Sequence, residues 1–325
     1  MQLITHVFRG DRIESRHVGE AAVIGPNGEV VFRTAAPERM MFARSSVKPF
    51  QAYPLVESGA ADAHNLIRKE LALCCASHNG EEIHLDVVRS LQRRTGISES
   101  DLVCGGHPSI DPETAETLTR ANVTFTPNYN NCSGKHTGML LAAKYLNYPS
   151  DGYTDPEHPL QQDILRRLSE LIGRNDIGIG IDGCSAPNFY LSVIELARLF
   201  QRFTSGNDPV LARLYDAMTA EPYLVAGKNR FDTRVMEVLE GRCVSKTGAE
   251  GVRGFGIRIG NAAYGIALKV RDGAARASAT MLLTLLEHLG WYDPAEYPEM
   301  GEYYCPVITN HAGLEVGYIR SSVVD

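Results

Sequence analysis

The sequence predicts an α+β fold in which one antiparallel sheet is made from both ends of the chain, with a helical region between them. Short segments of mixed or alternating polarity, separated by turn residues, occupy residues 1–35. Apolar patterns of helical period fill most of residues 45–240. Alternating segments return in residues 245–325. Because the two sets of strands need a common core, we expect a single domain over residues 1–325, with helices packed against the sheet.

The N-terminal segments are predicted as strands because turn sequences separate them. Gly10-Asp11 and Pro26-Asn27-Gly28 are typical of such turns. The predicted strands are Leu3–Phe8, Ile13–Val18, Ala21–Ile24 and Val30–Phe32.

The helices of the middle region are predicted from their apolar period and their end signals. The segment 81–95 has acidic residues early and Arg93-Arg94 late, as the helix dipole favours. Asp111-Pro112-Glu113 opens another helix, because proline and acids suit a first turn. The remaining predicted helices are Phe50–Ser58, Arg68–Ala76, Thr137–Tyr145, Leu160–Ile172, Tyr190–Phe203, Pro209–Thr219 and Thr233–Leu239.

The C-terminal region is predicted to return to the sheet. Gly260-Asn261 lies between two alternating segments and predicts a hairpin turn. The predicted elements are the strands Gly254–Ile259, Ala262–Val270, Val307–Thr309 and Leu314–Ile319, and the helix Ala274–Leu289.

Composition excludes several classes of partner. The net charge is −7 and no long basic run is present, so nucleic acid is not expected as a partner. No apolar stretch reaches the roughly 18 residues of a membrane span, so no membrane partner is expected.

The first residues lack the pattern of an export signal, which predicts a cytoplasmic protein. The seven scattered cysteines then predict reduced thiols, each by default a small buried hydrophobe.

Four segments between apolar helices are rich in Gly, Asn, Cys, Ser and charge, a composition typical of loops that carry function. They are residues 44–48, 76–80, 128–138 and 178–188.

The first of these segments contains a Ser-x-x-Lys motif, Ser45 to Lys48. A serine needs a base to become a nucleophile, and a lysine one helical turn away can be that base. Ser-x-x-Lys with Lys-Thr-Gly, here Lys246-Thr247-Gly248, is the pairing of penicillin-binding proteins and serine β-lactamases. Their fold also has the layout predicted above. The motif alone is a weak signal, and Ser45 could equally be a solvated or capping serine.

Longer strings are far more specific than either motif. They are Arg44-Ser45-Ser46-Val47-Lys48-Pro49, Cys132-Ser133-Gly134-Lys135-His136 and Asp182-Gly183-Cys184. On these strings, and over nearly its whole length, the chain resembles the Rhizobium-type L-asparaginases. The resemblance implies a serine β-lactamase-like fold, hydrolysis of L-asparagine, a zinc site and a homodimer.

Ser45 and Lys48 are the expected nucleophile and general base, because Ser45, and not Ser46, has the one-turn spacing. Lys48 must be neutral to act, so its pKa has to fall by roughly three units from about 10.4 through burial and neighbouring cations. Its alternative role is a structural cation. The resemblance implies that Ser77 and Lys246 form a second Ser–Lys pair that relays protons and holds the substrate carboxylate. Ser77 could instead be a serine at a helix C-terminus.

Pro49 adds an expectation about the start of the helix. Proline has no N–H and is best tolerated in a first turn, so the helix should begin near Ser46. Ser46 would then be the N-cap, and Ser45 would stand just outside, beside backbone N–H groups that suit an oxyanion.

The expected substrate-binding residues are Arg44, His136 and Asp182. By resemblance, Cys132, Lys135 and Cys184 are the zinc ligands. From the residues alone this signal is poor, because two thiolates and a lysine match no recognised zinc spacing and an amine ligand must be deprotonated. Asp182 could orient Lys135 or a metal-bound water. The alternatives are cysteines that simply pack, or Cys132 as a nucleophile with His136 as its base.

The sequence therefore predicts a double-displacement L-asparaginase. A glutaminase of the same fold is the alternative enzyme, and a zinc-dependent amino-acid-binding protein without activity is the alternative from another class. A peptidoglycan enzyme is disfavoured, because no export signal is expected.

Overall fold

In the computed structural model, which describes residues 1–325, the chain divides into two compact units. The first unit contains residues 1–46, 191–205 and 245–325. The second contains residues 47–190 and 206–244. The single domain expected over the whole chain stays a prediction.

The strands lie mostly at the two ends of the sequence. They are β1 (Gln2–Arg9), β2 (Arg12–Ile24), β3 (Val30–Arg33), β4 (Met40–Phe42), β5 (Gly178–Ile181), β6 (Pro187–Ser192), β7 (Cys243–Gly248), β8 (Val252–Ile259), β9 (Ala262–Val270), β10 (Val307–Thr309) and β11 (Glu315–Val324).

The helices lie mostly between them. They are α1 (Lys48–Gln51), α2 (Tyr53–Glu57), α3 (Ala60–Ala63), α4 (Arg68–Cys74), α5 (Glu82–Thr95), α6 (Pro112–Arg120), α7 (Ser133–Tyr145), α8 (Pro159–Ile172), α9 (Val193–Ser205), α10 (Pro209–Ala220), α11 (Pro222–Val225), α12 (Phe231–Val238), α13 (Ala275–His288) and α14 (Gly301–Tyr304). Short 3-10 helices cover Arg44–Val47, Glu99–Asp101, Pro127–Tyr129 and Pro298–Met300. None of the helices combines the length and the apolar character that crossing a bilayer requires.

The sheet of the first unit combines strands from both ends of the chain. Its order is β10-β11-β1-β2-β9-β8-β7, and β3 pairs with β2 beside this path. The pairs β1–β11, β1–β2, β2–β9 and β8–β9 are all antiparallel. The predicted α+β fold, with an antiparallel sheet from both termini and helices in the middle of the sequence, is therefore confirmed.

One long strand replaces two predicted short ones. The break expected around Gly19 does not occur, because Gly19 pairs with Leu3 on one side and Val270 on the other. A Cβ at Gly19 would lie 2.6 Å from the Sδ atom of Met281 in α13. Here the glycine marks a close approach of a helix to the sheet, and not a turn.

Helix α9 packs directly against β8 and β9, because each strand has a glycine, without a side chain, at the point of contact. A Cβ at Gly265 would lie 2.0 Å from the backbone nitrogen of Gln201, and one at Gly254 would lie 1.9 Å from the ring of Phe200. Helix α9 buries its apolar face there, including Phe200 and Phe203. This contact brings the α9 segment, taken from the middle of the sequence, into the first unit.

The helix predicted over 190–203 begins three residues late. Residues 187–192 form β6, and its first residues pair with β5 inside the segment predicted as a loop. Glycines at positions 178 and 180 weaken the strand pattern there. The helix start is marked by Ser192, whose backbone N–H donates to the Glu195 carboxylate over 2.7 Å, while its hydroxyl accepts the Glu195 N–H over 3.3 Å. This Ser-x-x-Glu capping box was present in the sequence but not used.

Helix α7 is central to the second unit and is buried from Ser133 to Ala143. It starts at Ser133, before the predicted Thr137. The sequence did not indicate this start, because a helix that is buried on all sides shows no amphipathic period. Two glycines one turn apart let it pack closely on α4. A Cβ at Gly134 would lie 2.3 Å from the carbonyl oxygen of Leu73, and one at Gly138 would lie 2.8 Å from the Sγ of Cys74. The packing sets the positions of the residues that flank both helices.

A buried carboxylate on the inner strand β2 binds the segment after β3 and an arginine after β9. The Oε2 atom of Glu20 accepts from the Thr34 hydroxyl over 2.6 Å and from the Ala36 N–H over 3.1 Å. Its Oε1 accepts from the Arg271 Nε over 2.6 Å. Burial raises the pKa of the Glu20 carboxyl, but the hydrogen bonds from Thr34, Arg271 and Ala36 outweigh it, and the pKa is lowered.

We expect Glu20→Gln to lower the free energy of unfolding by about 2 kcal/mol near neutral pH, because it removes hydrogen bonds to a charged group. Since the pKa of Glu20 is lower in the folded state, its stabilisation is present above the unfolded value of about 4.3 and is lost as the pH falls toward the folded value. Urea unfolding of both proteins at several pH values measures this. The exposed pair Arg9–Glu14 gives the control: Glu14→Gln should change stability by less than about 1 kcal/mol. Equal effects of the two variants at neutral pH would contradict the prediction.

Candidate active site

The Ser-x-x-Lys segment is helical throughout, but not as predicted. Arg44–Val47 is a 3-10 helix, and the α-helix begins only at Lys48, with Val47 as its N-cap. Ser46 does not cap: its hydroxyl donates to the Ala43 carbonyl over 2.6 Å. Pro49 occupies the second position of α1, where its missing N–H has no intrahelical partner to lose. The prediction of Ser46 as the N-cap was therefore wrong, because the α-helix begins at Lys48 with Val47 as its cap. Ser45 stands outside the α-helix, as predicted, and lies within the 3-10 turn that precedes it.

The 3-10 turn lies beside the Lys-Thr-Gly strand within the first unit. Arg44 has a φ of 52°, a left-handed conformation that is strained for a residue with a side chain. A Cβ at Gly248 would lie 2.9 Å from the Ala43 carbonyl oxygen and 3.2 Å from the Arg44 Cβ. The glycine of the Lys-Thr-Gly motif thus leaves room for the turn that carries Ser45.

Three predicted site residues belong to this unit. Arg44 and Ser45 are half-buried, and Lys246 is fully buried in β7 with its Nζ donating to the Thr247 carbonyl over 3.0 Å. The other predicted site residues belong to the second unit.

Lys48 is the best-defined polar group of the second unit. Its side chain is buried, and its Nζ donates to the Ala76 carbonyl over 2.6 Å and to the Ser77 hydroxyl over 2.8 Å. The Asn131 Oδ1 lies 3.3 Å from the same nitrogen. Burial lowers the pKa of Lys48, and the Lys135 ammonium acts in the same direction, while the neighbouring Cys132 acts against them. The net shift is downward, which is the direction that a general base requires.

Ser77 follows α4 but is not part of it. The helix ends at Cys74, and Ser77 lies in the segment after it. Two backbone hydrogen bonds hold this segment, from the Ser77 N–H to the Val225 carbonyl and from the Asn79 N–H to the Ala226 carbonyl. The Arg230 guanidinium donates to the Ser77 carbonyl over 3.2 Å. This excludes the reading of Ser77 as the last serine of a helix and presents its hydroxyl to Lys48.

The three predicted metal ligands lie together. Cys132 precedes α7, Lys135 is in its first turn, and Cys184 is in the turn between β5 and β6. All three are buried, the Lys135 Nζ lies 3.1 Å from the Cys184 Sγ, and the Cys132 and Cys184 thiols are hydrogen-bonded. The cluster brings two sulfur donors and one nitrogen donor to one place.

The charges of this cluster are unequal. The hydrogen bond from Cys132 and the Lys135 ammonium lower the pKa of Cys184, and the same hydrogen bond with burial raises the pKa of Cys132. Burial lowers the pKa of Lys135, but the two cysteines more than offset it, so the pKa is raised. In the metal-free cluster the pKa of Cys184 is thus shifted toward the thiolate and that of Lys135 toward the ammonium, while the pKa of Cys132 is shifted toward the thiol.

A zinc ion fits the chemistry of these donors. The two cysteine sulfurs are soft ligands and the lysine nitrogen is a borderline one, and zinc binds both kinds. Three such ligands would leave the fourth coordination position of a tetrahedral zinc open. No group of three or more His, Cys, Asp and Glu side chains is arranged for a metal, so a site here depends on the lysine.

His136 and Asp182 border the cluster. The His136 Nδ1 is 2.6 Å from the Tyr153 hydroxyl, and the ring is also hydrogen-bonded to Cys184. Burial and the Lys135 ammonium lower the pKa of His136 to about 4, so the ring is neutral. His136 makes no hydrogen bond to Cys132, which speaks against those two as a nucleophile and base. The Asp182 carboxylate contributes to raising the pKa of Lys135.

A family comparison decides the identity of the chain. The model of the L-asparaginase II family matches residues 5–321. The chain belongs to the L-asparaginase II family. The resemblance stated from the sequence strings is confirmed, and the chain is accordingly an amidohydrolase that acts on a small molecule. No curated protein matches the chain.

Solved structures similar to this member of the L-asparaginase II family include β-lactamases and a glutaminase. A β-lactamase from Sphaerobacter thermophilus DSM 20745 is 16% identical, with 86% of this chain and 94% of that chain covered, at a TM-score of 0.43. The class D β-lactamase YbXI from Nostoc is 14% identical, with 85% and 95% covered, at 0.41. A Bacillus glutaminase is 12% identical, with 84% and 91% covered, at 0.36. At these identities and TM-scores the likeness carries no conclusion about the substrate.

Sequence reasoning missed four residues around the site of this family member. Asn131 is hydrogen-bonded to Lys48, and His107 is hydrogen-bonded to Asn131. Tyr153 is hydrogen-bonded to His136. Arg230 donates a hydrogen bond to the Ser77 carbonyl. Asn131 lay inside a recognised polar segment but was not singled out. The string Gly105-Gly106-His107-Pro108 was a usable signal for His107, because a histidine in a glycine-rich loop seldom serves a core. Tyr153 and Arg230 gave no local signal.

We expect Gly248→Ala to lower amide hydrolysis about a hundredfold, because the new Cβ would push the turn that carries Ser45 away from its position. Ammonia release from L-asparagine measures it, with circular dichroism to show that the protein folds. Gly301→Ala is the matched control, since Gly301 lies at a helix start and a Cβ there meets nothing within 4 Å. Unchanged activity in Gly248→Ala would contradict the role assigned to this close approach.

Proposed function

We propose that the protein is an L-asparaginase that hydrolyses L-asparagine to L-aspartate and ammonia through an acyl-enzyme on Ser45. The observation that carries the proposal is the environment of Lys48, three residues after Ser45. Its amine is buried, its pKa is lowered, and it is hydrogen-bonded to a second serine, Ser77. A lysine in this state is suited to take a proton from a neighbouring hydroxyl. Membership of the L-asparaginase II family supports the choice of reaction.

The first half-reaction forms the ester. The neutral Lys48 Nζ takes the proton of the Ser45 hydroxyl as the Oγ attacks the side-chain amide carbon of asparagine. The tetrahedral intermediate collapses when the amide nitrogen receives a proton and leaves as ammonia. Ser77, hydrogen-bonded to Lys48, offers a path for that proton to the departing nitrogen.

The second half-reaction is hydrolysis of the β-aspartyl ester. Lys48, again neutral, takes a proton from water, the hydroxide attacks the ester carbonyl, and Ser45 leaves with a proton returned from Lys48. The products are aspartate and the free serine, so each turnover consumes one water and releases one ammonia.

The amino-acid end of the substrate is assigned to the remaining predicted residues. Lys246 and Arg44 supply positive charge for the α-carboxylate, and Asp182 supplies negative charge for the α-ammonium group. His136 is neutral and offers a further polar contact beside Cys184. Glutamine carries one more methylene, which would displace its amide by over an ångström from Ser45, so glutamine should be a poor substrate.

Zinc is proposed as a resident ion held by Cys132, Lys135 and Cys184. Its chemistry there would be to orient the substrate or to polarise a carbonyl. To bind it, Cys132 and Lys135 would each give up a proton, since metal ligands must be deprotonated. Homodimer formation and a cytoplasmic location remain proposals from the sequence.

A glutaminase remains the competing enzyme, since both reactions use the same groups. The comparison that separates them is the ratio of kcat/KM for asparagine and glutamine. A higher value for glutamine would overturn the asparaginase proposal and leave the acyl-enzyme chemistry standing.

We expect Ser45→Ala to abolish ammonia release from L-asparagine, because it removes the attacking oxygen, while Ser46→Ala retains most of the activity. The neighbouring serine is the matched control, since its hydroxyl is used on the Ala43 carbonyl. Lys48→Met should lower kcat by about a hundredfold or more, the usual contribution of a general base. Coupled ammonia detection gives the rates, and mass spectrometry of a quenched reaction should find the β-aspartyl adduct on the peptide that contains Ser45. Full activity in Ser45→Ala would exclude the mechanism.

Metal analysis tests the zinc proposal without reference to activity. The purified protein should contain about one zinc per chain. Cys184→Ser should lower the zinc affinity by more than about a hundredfold, because it removes a ligand itself, and loss of a group that only hydrogen-bonds to a ligand already costs up to about that much. Cys243→Ser is the control, because that thiol is equally buried but donates to the Val235 carbonyl. Zinc retained to the same extent by both variants would remove the proposed site.

A further inference from the structure

The amide of Asn131 stands between two groups of the proposed site. Its Oδ1 accepts from the Lys48 Nζ over 3.3 Å, and the Cys132 Sγ lies 3.1 Å from the same oxygen. Because the lysine is a donor in this contact, the amide must present its oxygen to it. If the amide were rotated by half a turn, its NH₂ group would face the lysine N–H groups, and this hydrogen bond would be lost.

His107 faces the other end of this amide. The Nε2 of the half-buried His107 accepts from the Asn131 backbone N–H over 3.1 Å and lies 2.8 Å from the Asn131 Nδ2. Its Nδ1 lies 2.6 Å from the Pro108 carbonyl oxygen. A carbonyl can only accept, so the ring proton is on Nδ1 and the Nε2 lone pair faces Asn131.

The segment that carries His107 is tied to the same turn. The Asn130 Nδ2 donates to the carbonyls of Cys104 and Gly105, over 2.8 and 2.9 Å. The Asn130 Oδ1 accepts the Cys132 backbone N–H over 2.8 Å. Adjacent asparagines therefore fix the distance between the His107 segment and the start of α7.

We propose that His107 is a positioning residue: its Nε2 lone pair fixes the orientation of the Asn131 amide, and through that amide it sets the position of the Lys48 amine. Only an acceptor at the Nε2 position can do this, because it must receive both N–H groups of Asn131. The inference deepens the proposed function, since it rests on Lys48 acting as the general base.

Side-chain length gives a matched pair of substitutions. In His107→Gln the amide oxygen can take the place of Nε2, whereas in His107→Asn the shorter side chain reaches only to the place of Nδ1. We expect His107→Asn and His107→Ala to lower kcat for asparagine about ten- to a hundredfold with little change in KM, a range typical of groups that orient a functional residue. His107→Gln should restore most of kcat. Melting temperatures of the three variants show whether they are equally folded.

A double-mutant cycle tests whether His107 acts through Asn131. If it does, adding His107→Ala to Asn131→Ala should lower kcat no further than Asn131→Ala alone. Independent, multiplied losses would overturn the proposal. So would equal kcat values for His107→Gln and His107→Asn.

A readout independent of the reaction keeps this inference separate from the proposed function. Nitrogen-15 NMR of labelled histidines, recorded at a pH where the rings are neutral and with the His107 signals assigned by their loss in His107→Gln, should show the Nδ1–H tautomer. The Nε2–H tautomer would overturn the inference even if asparagine is hydrolysed. If the wild-type protein releases no ammonia from asparagine while the Nδ1–H form is found, the proposed function fails and the fixed amide stands.

Discussion

The buried amine of Lys48 is the constraint on which the second unit depends. An ammonium without solvent is costly unless every N–H finds an acceptor. The unit supplies these acceptors from places far apart in sequence: the Ala76 carbonyl and the Ser77 hydroxyl after α4, and the Asn131 side chain before α7. The packing of α4 on α7, made close by Gly134 and Gly138, is what brings the two ends together. The helix-packing glycines and the polar site are therefore parts of one arrangement.

The same arrangement explains why Lys48 suits proton transfer. Its hydrogen-bond acceptors are neutral oxygens, and burial lowers its pKa although the neighbouring Cys132 and Cys184 act in the opposite direction. Lys135 is buried as well, yet its pKa is raised, because its amine contacts Cys184 directly and both cysteines favour its charged form. The pKa values of the two buried lysines are thus shifted in opposite directions by burial and by their partners. One is prepared to accept a proton, and the other holds an anion.

Many of the helices and strands could be predicted from the sequence, and those that could not have physical reasons for it. The long amphipathic helices and the hairpin at Gly260-Asn261 followed from period and turn residues. The strands β4, β5, β6 and β7 did not, because they are short or contain glycine, and β6 was absorbed into a neighbouring helix pattern. The candidate site residues were found from sequence motifs, and a motif does not say how far its side chains lie from those of other segments. That Ser77 bonds to Lys48, or that His107 faces Asn131, depends on contacts between segments that no periodicity links.

In the first unit, missing side chains at two glycines have roles that the sequence pattern does not show. At Gly19 the sequence predicted a break, while the chain uses the missing side chain to admit Met281. At Gly248 the missing side chain admits the carbonyl of Ala43, directly before the strained Arg44 and the candidate nucleophile. A left-handed φ at a residue with a side chain persists only where the surroundings hold it. The glycine of Lys-Thr-Gly therefore belongs to the serine turn as much as to its own strand, which gives the pairing of the two motifs a steric cause.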